Sequence, residues 1–564
     1  MLAGVFFVLT SLAYLPSGLF KGLFDRNAAP EFIALCLSTI TLGVRLIISR
    51  KKISLSPAAI FSGAALLVIA MISWVSSHNL ITGLTGDTGR YTGLASLFAL
   101  ILIATYFSRL SKNEFGRTLK FMLVGVLLLD LLGLLQNFEV IKLPTGGGVG
   151  STLGNLDFLS AWLGTTILLF ALVDINQRIK RIGLVSLGIV STFLMIQLGA
   201  KQGLLDFILI ALAIGAYQLR NKIPKLVLSR NVWTSFFTFA TLLWCEIVYL
   251  VPIARLPIPG VAGDVNVTIR SDFWYSGGAM FFHNLWLGVG PDNYGYFYEK
   301  YRSLSSVKKT ESVISNDAHS AMVQSMATLG IFAIIAFVAL IVVLIKSLVV
   351  LSGEEPESKH RYLIFGLFFF IYLTNSLISP MTLPNKFAFW ALAGYIIGRA
   401  SSYGIPKEFN LPIKAISGAI VLIVAFVGIQ FTYANLKFAL ATDKVKESKA
   451  IHYKYSTWLP CNIFFGAQMA LSLNSGATAL NVAQKAANAN PRCIDAQGTI
   501  ATQYLQMGEY EKAKKSVYQL LDLTPGRRET VRIAAQYSIK VNDKKMQAIL
   551  AKQGIKLGIV SQGS

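Results

Sequence analysis

Long apolar stretches recur along the chain from its N-terminus to about residue 432, and the composition becomes polar after that point. Within lipid the backbone must satisfy its own hydrogen bonds, so each stretch is either a helix or a strand of a closed barrel. Barrel strands alternate apolar and polar positions over about ten residues, whereas these stretches are longer and uniformly apolar. The pattern therefore predicts an all-α polytopic membrane domain over residues 1–435 and a second domain over residues 436–564.

About thirteen of these stretches approach the ~20 residues that a helix needs to cross a hydrocarbon core of about 30 Å. Composition agrees, because 54% of the 564 residues are hydrophobic and only 14% are charged, whereas an ordinary soluble domain carries about 25% charged residues. The predicted spans are 3–19, 31–49, 57–76, 91–108, 118–138, 156–174, 182–199, 203–219, 232–252, 320–345, 362–379, 384–398 and 413–432.

The net charge of +23 is explained by membrane topology. Lys and Arg cluster in alternate loops, beginning with Arg50, Lys51 and Lys52, whereas the short loops between carry one or two each. Loops rich in Lys and Arg stay in the cytoplasm. This asymmetry predicts a cytoplasmic N-terminus and, with thirteen spans, an extracytoplasmic C-terminal domain. The partners it indicates are membrane lipids and not nucleic acid.

The C-terminal part of the chain, residues 436–564, carries a helical repeat. Pro491 and Pro525 are 34 residues apart, and G-E-Y-E-K-A at 508–513 fits the tetratricopeptide pattern, in which small residues lie where paired helices touch and Pro ends the second helix. The pattern predicts two units and a degenerate third around 537–548, with a generic helical hairpin domain as the alternative. Such repeats commonly bind peptides or proteins, so a protein partner is expected. The residue pairs that this register aligns are Ala479 with Ala513, Ala483 with Val517, and Ala486 with Leu520.

The four cysteines divide between the two predicted domains. Cys36 and Cys245 lie in apolar spans and are expected to be core residues. Cys461 and Cys493 lie in the outer domain, where a disulfide is chemically permitted, and the sequence leaves open whether they are bonded. Neither spacing nor neighbours predict a metal site.

The longest predicted outer segment, about 253–319, holds polar residues that topology does not explain. Gly288 and Gly290 within it predict a turn, and Asp317 or Ser315 is expected to cap the helix that follows. His319 would then lie in the first turn of that helix, at the outer edge of the membrane. A capping or interfacial role is the alternative reading for this histidine.

Isolated cations occupy the outer segments. Arg90 lies in G-R-Y-T-G, Lys201 lies in L-G-A-K-Q-G, and Arg270 lies in the long segment. The positive-inside rule disfavours extra cations outside, and a cation at a membrane mouth is a functional candidate by default. Singly, each also fits an anchor that reaches lipid headgroups. Together with His319, they indicate an anionic ligand such as a lipid diphosphate.

The series of motifs along the chain resembles the O-antigen ligase and O-antigen polymerase superfamily of bacterial envelope glycosyltransferases. The resemblance covers about residues 75–400, and a tetratricopeptide tail is similar to the tails of many members. The motifs that carry it are G-R-Y-T-G (89–93), G-L-L-Q-N-F (133–138), S-T-L-G-N-L-D-F-L-S-A (151–161), R-S-D-F-W (270–274), G-V-G-P-D-N-Y (288–294), N-D-A-H-S (316–320) and L-G-I (329–331).

The resemblance implies a glycosyltransferase of the bacterial inner membrane that uses no metal and no cofactor. Such an enzyme moves a glycan from an undecaprenyl-diphosphate carrier to an acceptor on the extracytoplasmic face, and the acceptor is a lipid, a growing glycan or a protein. By resemblance, His319 matches the histidine proposed as general base, and Arg270 matches the loop arginine that holds the diphosphate. Lys201 takes the position where members usually have the arginine of a Ser-Arg pair. The supporting candidates beside the motifs are Asn316, Asp317, Gln136 and Asn155.

Three positions depart from the pattern of that superfamily. Ala200-Lys201 replaces a Ser-Arg pair, Ser320 replaces the usual Asn after the histidine, and Thr328 stands where an acidic residue is common. Lysine is a point charge, whereas arginine is a bidentate fork. Phosphate binding at position 201 is therefore expected in kind, with a different geometry.

The residues themselves permit the same chemistry. Diphosphate is already a good leaving group, so it needs positive charge as the bond breaks, which Arg270, Lys201 and Arg90 can supply. The acceptor hydroxyl needs a base, and a histidine with an ordinary pKa near 6.5 suits that task. The outer acidic residues are scattered over different loops, so a metal-dependent mechanism is disfavoured, although folding can bring some of them together.

Three alternatives remain open at this point. A glycan polymerase differs from a ligase only in its acceptor. A transporter or flippase for a lipid-linked sugar would show internal repeats and polar residues near mid-membrane, whereas Gln136, Asn155 and Asn375 lie near span ends. A scaffold would use its repeats to recruit proteins and would tolerate loss of His319.

Overall fold

The computed structural model describes the greater part of the chain and is all-helical there. Within the described residues, turns and two short 3₁₀ helices join the α-helices, and no β-strand occurs. The protein is thus an α-helical membrane protein, as the apolar pattern predicts. The described residues are 1–14, 27–49, 55–77, 79–143, 149–199, 201–219, 265–303, 306–308, 314–403, 413–446, 458, 461 and 476–557.

Within the described residues, the predicted membrane domain contains fifteen α-helices. They are α1 (Leu2–Leu12), α2 (Ala28–Ile48), α3 (Pro57–Val75), α4 (Leu80–Thr85), α5 (Leu94–Phe107), α6 (Lys112–Asn137), α7 (Leu156–Leu172), α8 (Gln177–Gln197), α9 (Lys201–Leu219), α10 (Val265–His283), α11 (Tyr294–Tyr301), α12 (Ala321–Glu354), α13 (Lys359–Ile378), α14 (Leu383–Ser401) and α15 (Ile413–Lys446).

Seven of the described helical segments are long and apolar enough to cross a membrane. Large apolar side chains along them are exposed, among them Phe61 at 62% and Leu422 at 72%, which suits a lipid environment. Shorter apolar helices occupy other predicted spans, and the predicted span 232–252 lies outside the described residues. The seven segments are Ala28–Ile48, Pro57–Val75, Lys112–Asn137, Gln177–Gln197, Ala321–Glu354, Pro356–Ile378 and Lys414–Leu440.

One end of the bundle is fastened by the buried carboxylate of Glu355, which follows α12. It accepts hydrogen bonds from Arg399 (2.7 Å) and Tyr403 (2.7 Å) of the α14 end and from Tyr362 of α13 (2.7 Å). Burial opposes ionisation, but these hydrogen bonds, with that of Tyr403 foremost, lower the pKa of Glu355 to about 2. Three helices are therefore tied together through one charged group.

The helix α12 is broken at Gly330, where φ is 75° and ψ is −173°. The backbone groups that the break frees are taken up by the turn before α11, since Ile331 N–H donates to Leu285 O and Gly290 N–H to Thr328 O, both at 2.9 Å. Non-helical backbone at membrane depth needs such partners. The predicted turn at Gly288 and Gly290 is thus confirmed, and it is built against α12.

The helix α15 continues without interruption past the predicted end of its span at residue 432, to Lys446. Its 34 residues measure about 51 Å at 1.5 Å per residue, which exceeds the ~30 Å of a hydrocarbon core. Ala434 and Phe438 on the extension are buried in a cluster with residues of α10, α11 and the C-terminal part of the chain.

Among the described residues, the C-terminal part forms five helices, each of which packs on the next. The residue pairs that the 34-residue register aligns are all buried. A disulfide joins Cys461 to Cys493 with the Cα atoms 6.0 Å apart, which answers the question that the sequence left open. Cys36 is buried, as expected of a core residue. The five helices are α16 (Gly476–Ala489), α17 (Ile494–Gln506), α18 (Tyr510–Leu523), α19 (Arg528–Lys540) and α20 (Lys544–Leu557).

Candidate functional site

Asp292, in the G-P-D-N turn before α11, fixes the loop that carries Arg90. Its Oδ2 accepts from the backbone N–H groups of Asp87 (2.8 Å) and Thr92 (3.1 Å), and its Oδ1 accepts from the Thr92 hydroxyl (2.9 Å) and from Gln324 (3.4 Å). A buried carboxylate that accepts several hydrogen bonds is well compensated for its burial. Segments some 200 residues apart in sequence are thereby held in one geometry.

Two buried carboxyl groups thus lie side by side. Burial and, to a lesser degree, the neighbouring Asp292 raise the pKa of Asp87 to about 7, against a hydrogen bond from Thr88 N–H. Burial also raises the pKa of Asp292, while the Lys386 ammonium on the first turn of α14 acts in the opposite sense. The scattered acidic residues therefore do converge in part. Among the described residues, no group of three or more His, Cys, Asp or Glu side chains is placed to hold a metal ion.

His319 lies just before α12 and not in its first turn, contrary to the sequence prediction. The helix begins at Ala321, and its cap is the Ser320 hydroxyl, which accepts from Val323 N–H at 3.4 Å. Asp317, expected as the cap, instead accepts from the backbone N–H of His319 at 2.6 Å. The prediction was wrong because His319 takes a left-handed backbone conformation, with φ at 52°, which a helix cannot include.

The His319 ring is enclosed by groups from separate segments. Its Nδ1 is 3.1 Å from the carbonyl oxygen of Asp317, and the ring packs against Phe273 of α10 with centroids 4.9 Å apart. Burial lowers the pKa of His319, the Arg90 and Arg270 guanidinium groups lower it further, and Asp317 opposes them. The imidazole is therefore neutral at pH 7, and both arginines act on it electrostatically.

Arg270 lies one turn before Phe273 on α10, so both side chains belong to one face of that helix. Its guanidinium forms an ion pair with Asp157 on the first turn of α7, with Nη2 2.5 Å from Oδ2. The Arg270 side chain is 20% exposed and the Asp157 side chain 45%. Arg270 is consequently in reach of solvent-borne ligands while remaining fixed beside His319.

Arg90 lines a cavity of about 190 Å³ together with Asn155, Phe158 and Thr382. Its guanidinium lies over the Phe158 ring at 5.1 Å, and Nη1 donates to Gly89 O at 3.2 Å. Its buried Nε makes no hydrogen bond within the part of the chain that is described. A guanidinium held by a ring and with donor capacity to spare is suited to binding an anion.

The supporting candidates shape the site in different ways. Asn155 caps α7 by accepting from Asp157 N–H at 2.8 Å, and Gln136 accepts from Ser151 N–H at 2.9 Å, which orders the turn beside the cavity. Asn316 donates to Thr88 O, and so joins the His319 segment to the Arg90 loop.

Lys201 begins α9, and its side chain lies outside what the structure describes. Its neighbour Gln202 accepts a hydrogen bond from Ser379 at 3.0 Å and donates to Asn375 at 2.9 Å. Ser379 directly precedes Pro380, which lines the same cavity. The structure therefore brings Arg90, Arg270 and His319 together and leaves the Lys201 ammonium unplaced.

Sequence reasoning missed the organising roles of Asp292, Phe273 and Lys386. Asp292 and Phe273 belong to the quoted motifs, in G-P-D-N-Y and R-S-D-F-W, but a motif does not show which of its side chains face inward. Lys386 lies near the start of a predicted span, in P-N-K, and a cation within a span is itself a sign of a functional residue.

Asp206 and Asn375 form a second polar cluster that sequence reasoning missed, inside the bundle. Asn375 Nδ2 donates to the buried Asp206 carboxylate at 2.8 Å, which joins α13 to α9.

No protein-family model matches this chain, and no curated protein matches it.

Proposed function

We propose that the protein transfers a glycan from an undecaprenyl-diphosphate carrier to an acceptor hydroxyl, on the extracytoplasmic face of a bacterial inner membrane, without a metal or cofactor. The observation that supports this most is the placement of two guanidinium groups, Arg90 and Arg270, around the neutral, buried imidazole of His319 at one end of a membrane-embedded bundle. The proposal includes the predicted topology of thirteen membrane spans and an extracytoplasmic tetratricopeptide-like domain.

In this mechanism His319 takes the proton of the acceptor. Its Nδ1 lies against the carbonyl oxygen of Asp317, an arrangement that favours the tautomer with the proton on Nδ1 and leaves Nε2 as the base. The acceptor oxygen attacks the anomeric carbon as its proton passes to Nε2. The bond from that carbon to the diphosphate oxygen breaks, and its electron pair leaves with the diphosphate.

Arg90 and Arg270 stabilise the charge that develops on the departing diphosphate. Preorganised donors aimed at developing charge are worth about 3–4 kcal/mol each when removed from enzymes of known mechanism. Asp157, paired with Arg270, is an exposed carboxylate that the diphosphate displaces. Burial is the main reason that the pKa of His319 is lowered, and the same two cations lower it further, so the base and the anion site are electrostatically linked.

Replacement of the base tests the proposal. His319→Gln should reduce transfer from a lipid-linked glycan by about 10²–10⁴-fold, measured in proteoliposomes at matched protein levels. The matched control is His283→Gln, because His283 is an exposed histidine at the opposite end of α10 from Arg270, with its Nδ1 2.8 Å from Ala279 O of the same helix. Full activity of the His319 variant would remove it from the role of base.

Replacement of the cations tests the donor site separately. Arg270→Gln should raise the KM for the donor, whereas Asp157→Asn should leave it unchanged or lower it up to about fivefold, because an exposed ion pair contributes at most about 1 kcal/mol. Arg532→Gln is the control on an exposed arginine of α19. Equal effects of Arg270→Gln and Asp157→Asn would show that the pair is only structural.

The acceptor decides between a ligase, a protein glycosyltransferase and a polymerase. Mass measurement of the products with lipid, peptide and lipid-linked glycan acceptors separates the three. The outer repeat domain favours a ligase or protein glycosyltransferase over a polymerase.

A transporter for a lipid-linked sugar is the second candidate, favoured by the buried Asp206 and Asn375 inside the bundle. Polar residues in that position occur along transport paths. If the protein is a transporter, the wild type should flip a fluorescent lipid-linked sugar across the membrane and Asp206→Asn should abolish that flipping. If it is an enzyme, neither the wild type nor Asp206→Asn should flip the lipid.

A further inference from the structure

The short helix α11 lies between His319 and the C-terminal helical stack. On one face, the Tyr294 hydroxyl donates to Phe273 O at 2.6 Å, and the Tyr298 ring meets the Phe273 ring edge-on, with centroids 5.6 Å apart. Phe273 in turn packs on the His319 ring. Residues four apart share one face of a helix, so Tyr294 and Tyr298 together connect α11 to the histidine.

The other face of α11 is covered by the C-terminal part of the chain. The guanidinium of Arg492 stacks on the Phe297 ring at 3.6 Å, and its Nε donates to Tyr296 O at 3.1 Å. At the edge of this contact, Lys300 forms an ion pair with Asp522 of α18 at 2.8 Å. The contact has a buried centre and an exposed rim, which is the usual anatomy of a specific interface.

Arg492 is itself fixed in place. Only 8% of the residue is exposed, and its backbone N–H donates to the Asn490 side chain at 3.0 Å. The next residue, Cys493, is bonded to Cys461. Burial lowers the pKa of Arg492 to about 10, so the guanidinium is charged at neutral pH and retains its attraction to the ring.

The segment that carries His319 depends on such packing, because it is not helical. His319 has a left-handed backbone, and the only ring packed against it is that of Phe273, among the described residues. A residue held in a sparsely populated conformation persists only where its surroundings determine it. Movement of α11 away from α10 would release Phe273 first and His319 next.

We propose that Arg492 is a positioning residue for His319, acting through α11 and Phe273, so that the C-terminal stack is a part of the site and not only a platform for partners. The catalytic consequence rests on the proposed function, in which His319 is the base. The positional coupling between Arg492 and His319 does not, and it can be measured without substrate.

The test measures the rate at which diethyl pyrocarbonate modifies His319, as a function of pH, on the full-length protein in nanodiscs, with the modified peptide quantified by mass spectrometry. The reagent attacks the neutral imidazole, so the pH profile reports the pKa of His319. In Arg492→Gln the rate should rise several-fold. The pKa should also move up toward its ordinary value, because the ring gains water, with Asp317, Arg90 and Arg270 as the charged groups that continue to act on it.

Two further variants make the result specific. Asp522→Asn removes the exposed pair at the rim and should leave both the rate and the pKa of His319 unchanged. Arg492→Lys should lie between the wild type and Arg492→Gln, because lysine keeps the charge and loses the planar stack. A merely structural contact would not produce this order.

Unchanged modification of His319 in a folded Arg492→Gln variant would overturn the proposal. If that variant does not fold, Phe297→Leu removes the ring beneath the guanidinium, and an unchanged His319 there has the same meaning. In the transfer assay, Arg492→Gln should lower kcat on the order of 10–100-fold with the donor KM unchanged. Altered modification with unaltered transfer would uphold the coupling and count against His319 as the base.

Discussion

Replacement of Asp292 probes the element on which the Arg90 loop depends. Its carboxylate receives four hydrogen bonds, two of them from the buried backbone N–H of Asp87 and the partly buried backbone N–H of Thr92. We expect Asp292→Ala to release the loop from the turn before α11. Asp292→Asn should act in the same direction but less, because one amide oxygen can still accept from the two N–H groups.

The magnitude follows from the groups left behind. A buried donor without a partner costs about 1–3 kcal/mol, and alanine leaves two backbone donors in that state. The φ of +53° at this position adds about 1–2 kcal/mol for alanine, whereas asparagine tolerates it. Relief of the repulsion from Asp87 offsets part of the loss. The free energy of unfolding should fall by about 3–5 kcal/mol in Asp292→Ala and by about 1–2 kcal/mol in Asp292→Asn.

Hydrogen exchange measures the effect at the loop itself. Exchange of the Asp87 and Thr92 amide protons should accelerate in the order wild type, Asp292→Asn, Asp292→Ala, and thermal unfolding in detergent should follow the same order. Glu509→Gln, at an exposed pair on the C-terminal stack, should shift unfolding by less than about 0.5 kcal/mol. Equal exchange at Asp87 in all four proteins would refute the role assigned to Asp292.

Two more predictions concern the bundle. Because hydrogen bonds hold the pKa of Glu355 at about 2, below its ordinary 4.5, its contribution to stability should be complete above pH 4.5 and lost as the pH falls toward 2. Glu355→Gln should lower the free energy of unfolding by about 3 kcal/mol at pH 7, and the variant should lose less stability than the wild type as the pH falls from 4.5 toward 2. If the variant loses as much stability as the wild type over that range, Glu355 is not the group responsible. Gly330→Ala should destabilise by about 3 kcal/mol in thermal unfolding, because the backbone there is one that only glycine adopts readily and a Cβ would meet the carbonyl of Trp286. Stability equal to that of Gly353→Ala, where a Cβ meets nothing, would contradict that explanation.

The helical class of the protein could be predicted from the sequence because hydrophobicity in long runs leaves the backbone few choices. The burial of small residues in the C-terminal part could also be predicted, since residues such as Ala483 and Ala513 recur in the sequence at a regular spacing, and both are buried. The candidate cations were found because the topology that the sequence predicts disfavours cations in the outer segments.

The remaining features depend on contacts between distant segments, which no local pattern encodes. The break at Gly330 looks like an ordinary apolar helix in sequence, and it exists because the turn before α11 supplies partners for the freed backbone groups. The cap of α12 was wrongly predicted at Asp317. His319 has a left-handed backbone conformation, so the helix begins after it, and Ser320 is the cap. Lys386 was overlooked because it lies at the start of a predicted span and far in sequence from Asp292.

The uninterrupted length of α15 couples the membrane domain to the C-terminal part of the chain. A helix about 51 Å long is stiff, so the end of α15 at Lys446 keeps a fixed distance from the hydrocarbon core unless the helix bends or tilts. Ala434 and Phe438 on its extension pack in one cluster with residues of α10 and α11. A change in the tilt of α15 within the membrane would therefore be transmitted to the helix that carries Arg270 and Phe273.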